Sequence, residues 1–385
     1  MKSIKGLFIL IPVVYVLSFV FAGERKPLAE LYKTGKVRFV QELVLDEKTM
    51  PKDVQFAGPG ALDCDAAGNV YVMDFSDNNI KLFDPSGKFL KLIGRKGQGP
   101  GEFNMPIDIV FAKDRLVVWD MGNDRICTLT LNGGFIKAKN ASAFAGRPYK
   151  VGALPTGEIV LDTEKTYFSE PDRPQDRFLE ILTPDLQAVK KLYSQPVLRN
   201  KYMRSGAQLF NLPQPFCSDI YWDVSPSGNI VVGFSGKYEI SIYNKEGAKV
   251  SIFSHSYDPV KVTAEDEKNF FGGMSYTTET GIKRGAPDHI VKNTTFPKFK
   301  PAFNALIVDS DGNTLIHTYR KNKDEMFRYF DAFDVQGKFI ATVHVEGDVP
   351  FPSQSRISRI ANGCFWLIQY GSDELPRVIK YRIAE

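Results

Sequence analysis

Turn residues recur along this chain at a fixed interval, and that recurrence limits the folds open to it more than any other feature. Nineteen residues separate Gly68 from Gly87, Asp114 from Gly133 and Gly228 from Gly247. Residues 61–94 read ALDCDAAGNVYVMDFSDNNIKLFDPSGKFLKLIG, four short apolar stretches broken at Gly68, Asn78-Asn79 and Gly87. Residues 106–138 repeat that order with turns at Lys113-Asp114, Asn123-Asp124 and Gly133-Gly134. Short stretches rich in β-branched and aromatic residues between such turns form antiparallel four-stranded meanders. Self-similarity over tens of residues marks a repeat architecture. A third repeat begins near Tyr149, turns at Thr156-Gly157-Glu158 and makes an excursion from Glu164 to Arg177; a fourth begins at Ile220 and a fifth at Asn304. The sixth, RIANGCFWLIQYG followed by RVIKYRIAE, supplies three strands only. An unpaired strand near the N-terminus, KVRFVQELVL from Lys36 to Leu45, can complete it.

The fold class expected is therefore all-β, a six-bladed β-propeller of four-stranded antiparallel blades whose last blade is closed by the N-terminal strand. Closure removes the exposed edges that an open stack of sheets would carry. With 31 Gly, 23 Pro and a 12% aromatic share, the chain has the turn and strand formers this needs. Residues 36–385 are read as one propeller domain, residues 23–35 as a linker, and residues 257–301 as an insert between blades 4 and 5. Within the insert, TAEDEKNFFGG reads as a short helix capped at Thr263. Lys plus Arg number 49 against 45 Asp plus Glu, a net charge of +4. Such a balance argues against a nucleic-acid partner held by phosphate neutralisation.

Lys2 and Lys5 precede an apolar run from Leu7 to Ala22, with small residues at Ala22-Gly23. This pattern is that of a cleavable signal peptide over residues 1–22. Pro12 interrupts the run, which falls short of the roughly 20 residues a membrane helix needs. The expectation is a periplasmic or secreted protein, free of the membrane after cleavage and monomeric. Cys64, Cys127, Cys217 and Cys364 show no metal-binding spacing and read as buried free thiols. Cys64 and Cys364 are the pair to test for a disulfide, because ring closure brings the first and last repeats together.

The stretch GRKGQGPGEFNMPIDIVF from Gly94 to Phe111, with LVVWD and GNDRI after it, resembles the NHL repeat. Matching residues are Gly97, Gly99, Gly101 and Phe103 before Pro106, the strand end Trp119-Asp120 and the corner from Asn123 to Ile126. In the first blade the matches are Val70 to Asp74 and Asn78 to Ile80. The whole mature chain resembles the exported bacterial six-bladed β-propeller proteins of this type. That resemblance implies the fold. It leaves function open among protein-binding scaffolds, ligand-sensing domains and a few lyases.

Candidate chemistry centres on the channel that innermost strands line. Aligned on their turns, Asp63 of blade 1 and Asp223 of blade 4 take one position on opposite sides of a six-membered ring, with Asp108 of blade 2 within one position of that level. Two or three carboxylates converging there could hold a hard divalent cation such as calcium; no cofactor is firmly expected. The alternative is that they accept backbone hydrogen bonds. His317 aligns with Met73 and Trp119 in the second strand, and Trp222 precedes Asp223. The Gly-rich connector leads into a strand rather than a helix, so it lacks the donors of a phosphate loop. Asp63, Asp108, Asp223, His317 and Trp222 are thus the candidate ligand-binding residues, and the three aspartates the metal candidates. Two function classes follow. One is an exported non-catalytic binding or scaffold module that offers one propeller face to a protein, peptide or glycan ligand. The other is a metal-dependent hydrolase or lyase built around a channel-bound divalent cation.

Overall fold

A computed structural model describes residues 25–170, 172–205, 208–274, 276–277, 283–319, 329–347, 349, 356–371 and 375–385. The signal peptide read over residues 1–22 lies outside them.

Blade 1 comprises Pro59–Cys64, Val70–Asp74, Asn79–Phe83 and Phe89–Ile93, paired antiparallel in chain order from the channel outward. Blade 2 follows with Pro106–Ala112, Arg115–Asp120, Arg125–Thr130 and Phe135–Asn140. Blade 3 has Arg147–Ala153, Ile159–Lys165, Gln175–Leu182 and Ala188–Val197; blade 4 has Ile220–Val224, Ile230–Phe234, Glu239–Tyr243 and Lys249–Ser254. Ala305–Val308, Thr314–His317, Tyr329–Phe333 and Phe339–Glu346 form blade 5. Blade 6 takes Ser358–Ala361, Cys364–Tyr370 and Pro376–Ala384 from the end of the chain and Lys36–Leu45 from its start. That last strand pairs antiparallel with Pro376–Ala384, from Arg38 opposite Ala384 to Leu45 opposite Val378. Its first residues also pair in parallel with blade 5, Lys36 opposite His344.

One turn explains the recurring interval. The Asp65 N–H donates to the Asn69 carbonyl and the Gly68 N–H returns to the Asp65 carbonyl, with Gly68 at φ 85°. Asp84 to Lys88, Ser225 to Asn229, Asn244 to Ala248, Asp309 to Asn313 and Asp334 to Lys338 close the same way. An Asp in first place adds its carboxylate: Asp84 Oδ1 accepts from the N–H groups of Ser86 and Lys88. The fourth residue needs a left-handed backbone, which glycine adopts without a Cβ penalty.

Six apolar layers fill the spaces between neighbouring blades. Blades 1 and 2 share Met73, Ile80, Phe103, Ile109 and Val118, whereas blades 2 and 3 share Trp119, Ile126, Val151 and Leu161. Blades 6 and 1 meet through Trp366, Ile368, Val378, Leu45, Val70 and Phe83, so the ring has no open joint. Each such side chain stabilises the native state by about 1.5–3 kcal/mol relative to exposure.

Two sequence readings are corrected. Within the stretch read as a linker over residues 23–35, whose first two residues lie outside the described ones, Leu28–Tyr32 is a helix with Leu28, Leu31 and Tyr32 buried in the layer between blades 5 and 6. Tyr32 donates its hydroxyl to Asp309 over 3.0 Å. The excursion in blade 3 is confined to the loop between Lys165 and Gln175, and a separate hairpin, Asn200–Ser205 with Gln208–Pro213, rises between blades 3 and 4. In the insert, Thr263 caps the helix Ala264–Gly272 in a reciprocal box with Asp266.

Because strands alternate in direction, the first and third turns of every blade share one face of the disc, while the second turns and the links between blades share the other. The turn face carries tight connections and the N-terminal helix. The opposite face, called the insert face below, carries the Gly-rich connector, the extra hairpin and the insert.

Candidate functional site in the channel

The three candidate aspartates converge on the channel, and each is tied to backbone donors. Asp63 Oδ1 accepts from the Cys64 N–H at 2.9 Å, and Oδ2 accepts from Phe111 of the next blade at 2.8 Å. Asp108 accepts from Ile109 at 3.0 Å and across the joint from Val151 at 2.9 Å. Asp223 does the same with Val224 and Val308, both at 2.9 Å. One carboxylate thus satisfies an inner-strand N–H in its own blade and one in the blade beyond, so these residues staple blades 1 to 2, 2 to 3 and 4 to 5.

The cation that Asp63 and Asp223 face is the chain's own Arg359, from the inner strand of blade 6. Its Nε lies 3.2 Å from Asp63 Oδ1 and its Nη1 lies 3.3 Å from Asp223 Oδ1. The guanidinium spans the channel between opposite blades, where the sequence reading placed a metal ion. Among the described residues no group of three or more His, Cys, Asp or Glu is placed to hold one. Burial pushes the Asp63 carboxyl up despite the pull of Arg359, and burial lifts Asp108 to about 6.

Toward the insert face lies a second network of blades 3, 4 and 6. Arg177 donates through Nε to Asp162 at 3.0 Å, through Nη2 to its other oxygen, and through Nη1 to Asp219 at 2.6 Å. Arg199 reaches Asp219 at 3.2 Å, Glu164 at 3.1 Å and the Tyr149 hydroxyl at 2.8 Å. Trp222 donates its indole N–H to Asp162 at 2.8 Å. Lys150 Nζ donates to the Trp222 carbonyl at 2.6 Å and lies 4.2 Å from the centre of the indole ring. Burial pulls the Lys150 ammonium below its ordinary value. Guanidinium groups of Arg177, Arg199 and Arg356 lie 4.3, 4.2 and 5.1 Å from the Tyr149 ring centre.

Two small cavities run along this part of the channel. One of about 70 Å³ is lined by Tyr149, Lys150, Asp162, Arg177, Trp222 and Arg356 among others. The next, about 50 Å³, shares Lys150, Trp222 and Arg356 and adds Asp63, Asp108, Asp223 and Arg359. Beyond Arg359 the channel opens on the turn face as a mouth of about 440 Å³ with residues from all six blades. A cleft of about 630 Å³ lies on the insert face between the extra hairpin and the insert, lined by Pro196, Phe216, Tyr257, Phe296, Phe299 and Pro301 among others.

Of the five candidate residues, the structure brings Asp63, Asp108, Asp223 and Trp222 to the channel cavities. His317 is fully buried in blade 5, its Nδ1 against Asn304 Oδ1. Burial lowers it to about 3, so it is neutral at physiological pH. Cys64 and Cys364 are free thiols, as are Cys127 and Cys217. The Gly-rich connector is an inter-blade brace: Arg125 donates to the carbonyls of Gln98, Gly99 and Glu102, and Asn123 to that of Gly97. Residues missed from sequence are Arg359, Lys150, Arg177 and Arg356. Aligning the sixth blade on its Asn362-Gly363 turn puts Ser358 at the position of Asp63 and Asp223, one residue short of Arg359.

No helix among the described residues is long and apolar enough to cross a membrane. No curated protein matches the chain in sequence. A family model, DUF5128, described as a 6-bladed β-propeller, matches residues 52–178. Among solved structures, a member of the DUF4221 family from Bacteroides vulgatus is similar at a TM-score of 0.52 and 11% identity, over 91% of this chain and 99% of that one. A candidate exported protein of Bacteroides fragilis is similar at 0.48 and 11%, over 91% and 95%. Virginiamycin B lyase from Staphylococcus aureus is similar at 0.41 and 12%, over 91% and 100%. The family match and the Bacteroides vulgatus likeness agree on one conclusion, that this chain folds as a six-bladed β-propeller.

Proposed function

We propose that this chain is an exported, non-catalytic binding module of the NHL-repeat type that takes a protein, peptide or glycan ligand on its insert face. The observation that carries the reading is the asymmetry of the disc. Every turn between first and second strands is a connection of five residues or fewer, while the Gly-rich connector, the 200–213 hairpin and the 257–301 insert all leave the other face. Loops projecting from a rigid scaffold are where recognition concentrates. The 630 Å³ cleft lies among them. Export rests on the leader pattern of residues 1–22. The N-terminal helix meets the turn face, where Leu28 N–H donates to Asp311, so it leaves the insert face uncovered. A catalytic reading through a channel cation has less support, because the aspartates it would use already accept two backbone N–H groups each.

The test is to probe the mature protein against glycan and peptide arrays, then to block each face. Lys298→Cys beside the cleft and Lys245→Cys on the turn face each receive a bulky maleimide. The four native thiols are first replaced by Ala, because Cys217 lines the cleft and Cys64 the turn-face mouth. Array binding should be lost on labelling position 298 and kept on labelling 245. Loss from the turn face alone, or no binding on either array, overturns the reading.

A further inference from the structure

Around the 70 Å³ cavity nearly every charged group is matched, which isolates the exception. Asp162 accepts from Arg177 and Trp222, Asp219 from Arg177 and Arg199, and Glu164 from Arg199. Both Asp108 oxygens face backbone N–H groups. Arg356 lines this cavity and its 50 Å³ neighbour; its charge acts on buried Asp108 and its guanidinium lies on the Tyr149 ring face, yet among the described residues that guanidinium makes no hydrogen bond. A guanidinium carries five donors in a planar fork, and half-buried donors seek acceptors. Lys150 Nζ, on the same two cavities, spends one donor on the Trp222 carbonyl and holds two more.

We infer that this end of the channel binds a small monocarboxylate, held by the Arg356 fork with Lys150 beside it. Chemistry and size select that class. The planar fork matches the two oxygens of a carboxylate. A cavity of about 70 Å³ has room for two or three waters at roughly 30 Å³ each, hence for a carboxylate on a short carbon chain. Asp108, Asp162 and Asp219 oppose any anion here, and a dianionic phosphate twice as strongly as a monocarboxylate, while a cation would find those carboxylates already engaged. The inference goes beyond the binding-module reading, adding a small-solute site in the channel that is separate from the insert-face cleft. Its test uses small solutes, so either can fail alone.

Acetate and propionate are titrated into the mature protein by calorimetry and thermal shift, with acetamide as the neutral isostere and inorganic phosphate as the dianion. Both carboxylates should bind and raise Tm, while acetamide and phosphate should not. Arg356→Gln should weaken binding by roughly tenfold or more, the scale of a lost charge-assisted pair. Arg356→Lys keeps the charge without the fork and should fall between. Should Arg356→Gln misfold, Lys150→Met gives the same readout from the other side of the cavity. The inference is overturned if neither carboxylate binds, if acetamide or phosphate binds as well, or if folded Arg356→Gln binds like the parent.

Discussion

Replacing Arg359 by Met tests whether this side chain is the ion that two opposite blades share. Its guanidinium lies 3.2 Å from Asp63 and 3.3 Å from Asp223; both carboxylates are 7% exposed and the arginine side chain 33%. Removing one partner of a fully buried pair costs about 3–5 kcal/mol, because a charge is stranded away from water. Two features reduce that figure here. Arg359 is a third exposed, and each aspartate keeps two backbone N–H bonds. About 2 kcal/mol is the expected loss at pH 7, which for a domain of this size lowers Tm by roughly 3 °C.

The pH dependence is the sharper signature. Burial already holds the Asp63 carboxyl above its ordinary value, and Arg359 is the largest influence pulling it back. Without the arginine, burial acts against less opposition and the native state takes up a proton more readily than the unfolded chain does. A group raised on folding stabilises most below its unfolded value near 4 and loses that contribution as pH rises. The deficit of Arg359→Met should therefore be largest at pH 7 and shrink toward pH 4. Adding Asp63→Asn and Asp223→Asn to the Met variant should recover part of the loss, whereas the two Asn changes alone should destabilise. Urea unfolding of the four proteins at pH 7 and pH 4.5 closes the cycle. A Met variant as stable as its parent at pH 7, or a deficit that grows in acid, would refute the account.

Two further outcomes follow from particular contacts. Lys261 pairs with Phe299 in an antiparallel bridge, so excising residues 263–297 and joining the ends by two glycines should leave the propeller folded, provided that Lys300→Met accompanies the cut. Without that change the excision removes Asp266 from the buried Lys300 2.7 Å away and should cost about 3 kcal/mol in a thermal melt; collapse of both versions would make the insert part of the core. Asp108, raised to about 6 by burial, lowers native stability by up to about 3 kcal/mol once ionised. The stability of the parent minus that of Asp108→Asn should hence grow from pH 7 to pH 5, and a difference that stays flat would mean Asp108 titrates as an ordinary carboxyl.

What the sequence disclosed was whatever repeats. A turn closed by its own backbone and a glycine at the fourth place leaves the same letters each time, so the blades and the convergence of Asp63 with Asp223 could be read directly. The closing strand Lys36–Leu45 was legible too, because its apolar run had no partner elsewhere. Elements used once left weaker traces. Leu28–Tyr32 has five residues, too few to show a helical period, and Pro27 before it reads equally well as linker. The hairpin at 200–213 carried only a Ser205-Gly206 turn signal, preceded by the polar stretch NKYMR, and it lay outside the repeat interval.

Arg359 was missed because its strand enters a two-residue turn. Asp63 and Asp223 stand five residues before their turn glycines, whereas Arg359 stands four before Gly363. Lys150 and Arg356 obey no period at all: which side of an inner strand meets the channel is set by the closed ring, and no single repeat encodes it. Inner strands of blades 1, 2 and 4 carry Asp63, Asp108 and Asp223, and those of blades 3 and 6 carry Lys150 and Arg359 instead. Repetition builds the ring, and any interaction across its axis requires the repeats to differ, since six identical strands would aim six identical charges at one another. In a chain of this kind, the positions where an inner strand breaks the charge of its neighbours are therefore where a channel site should be sought first.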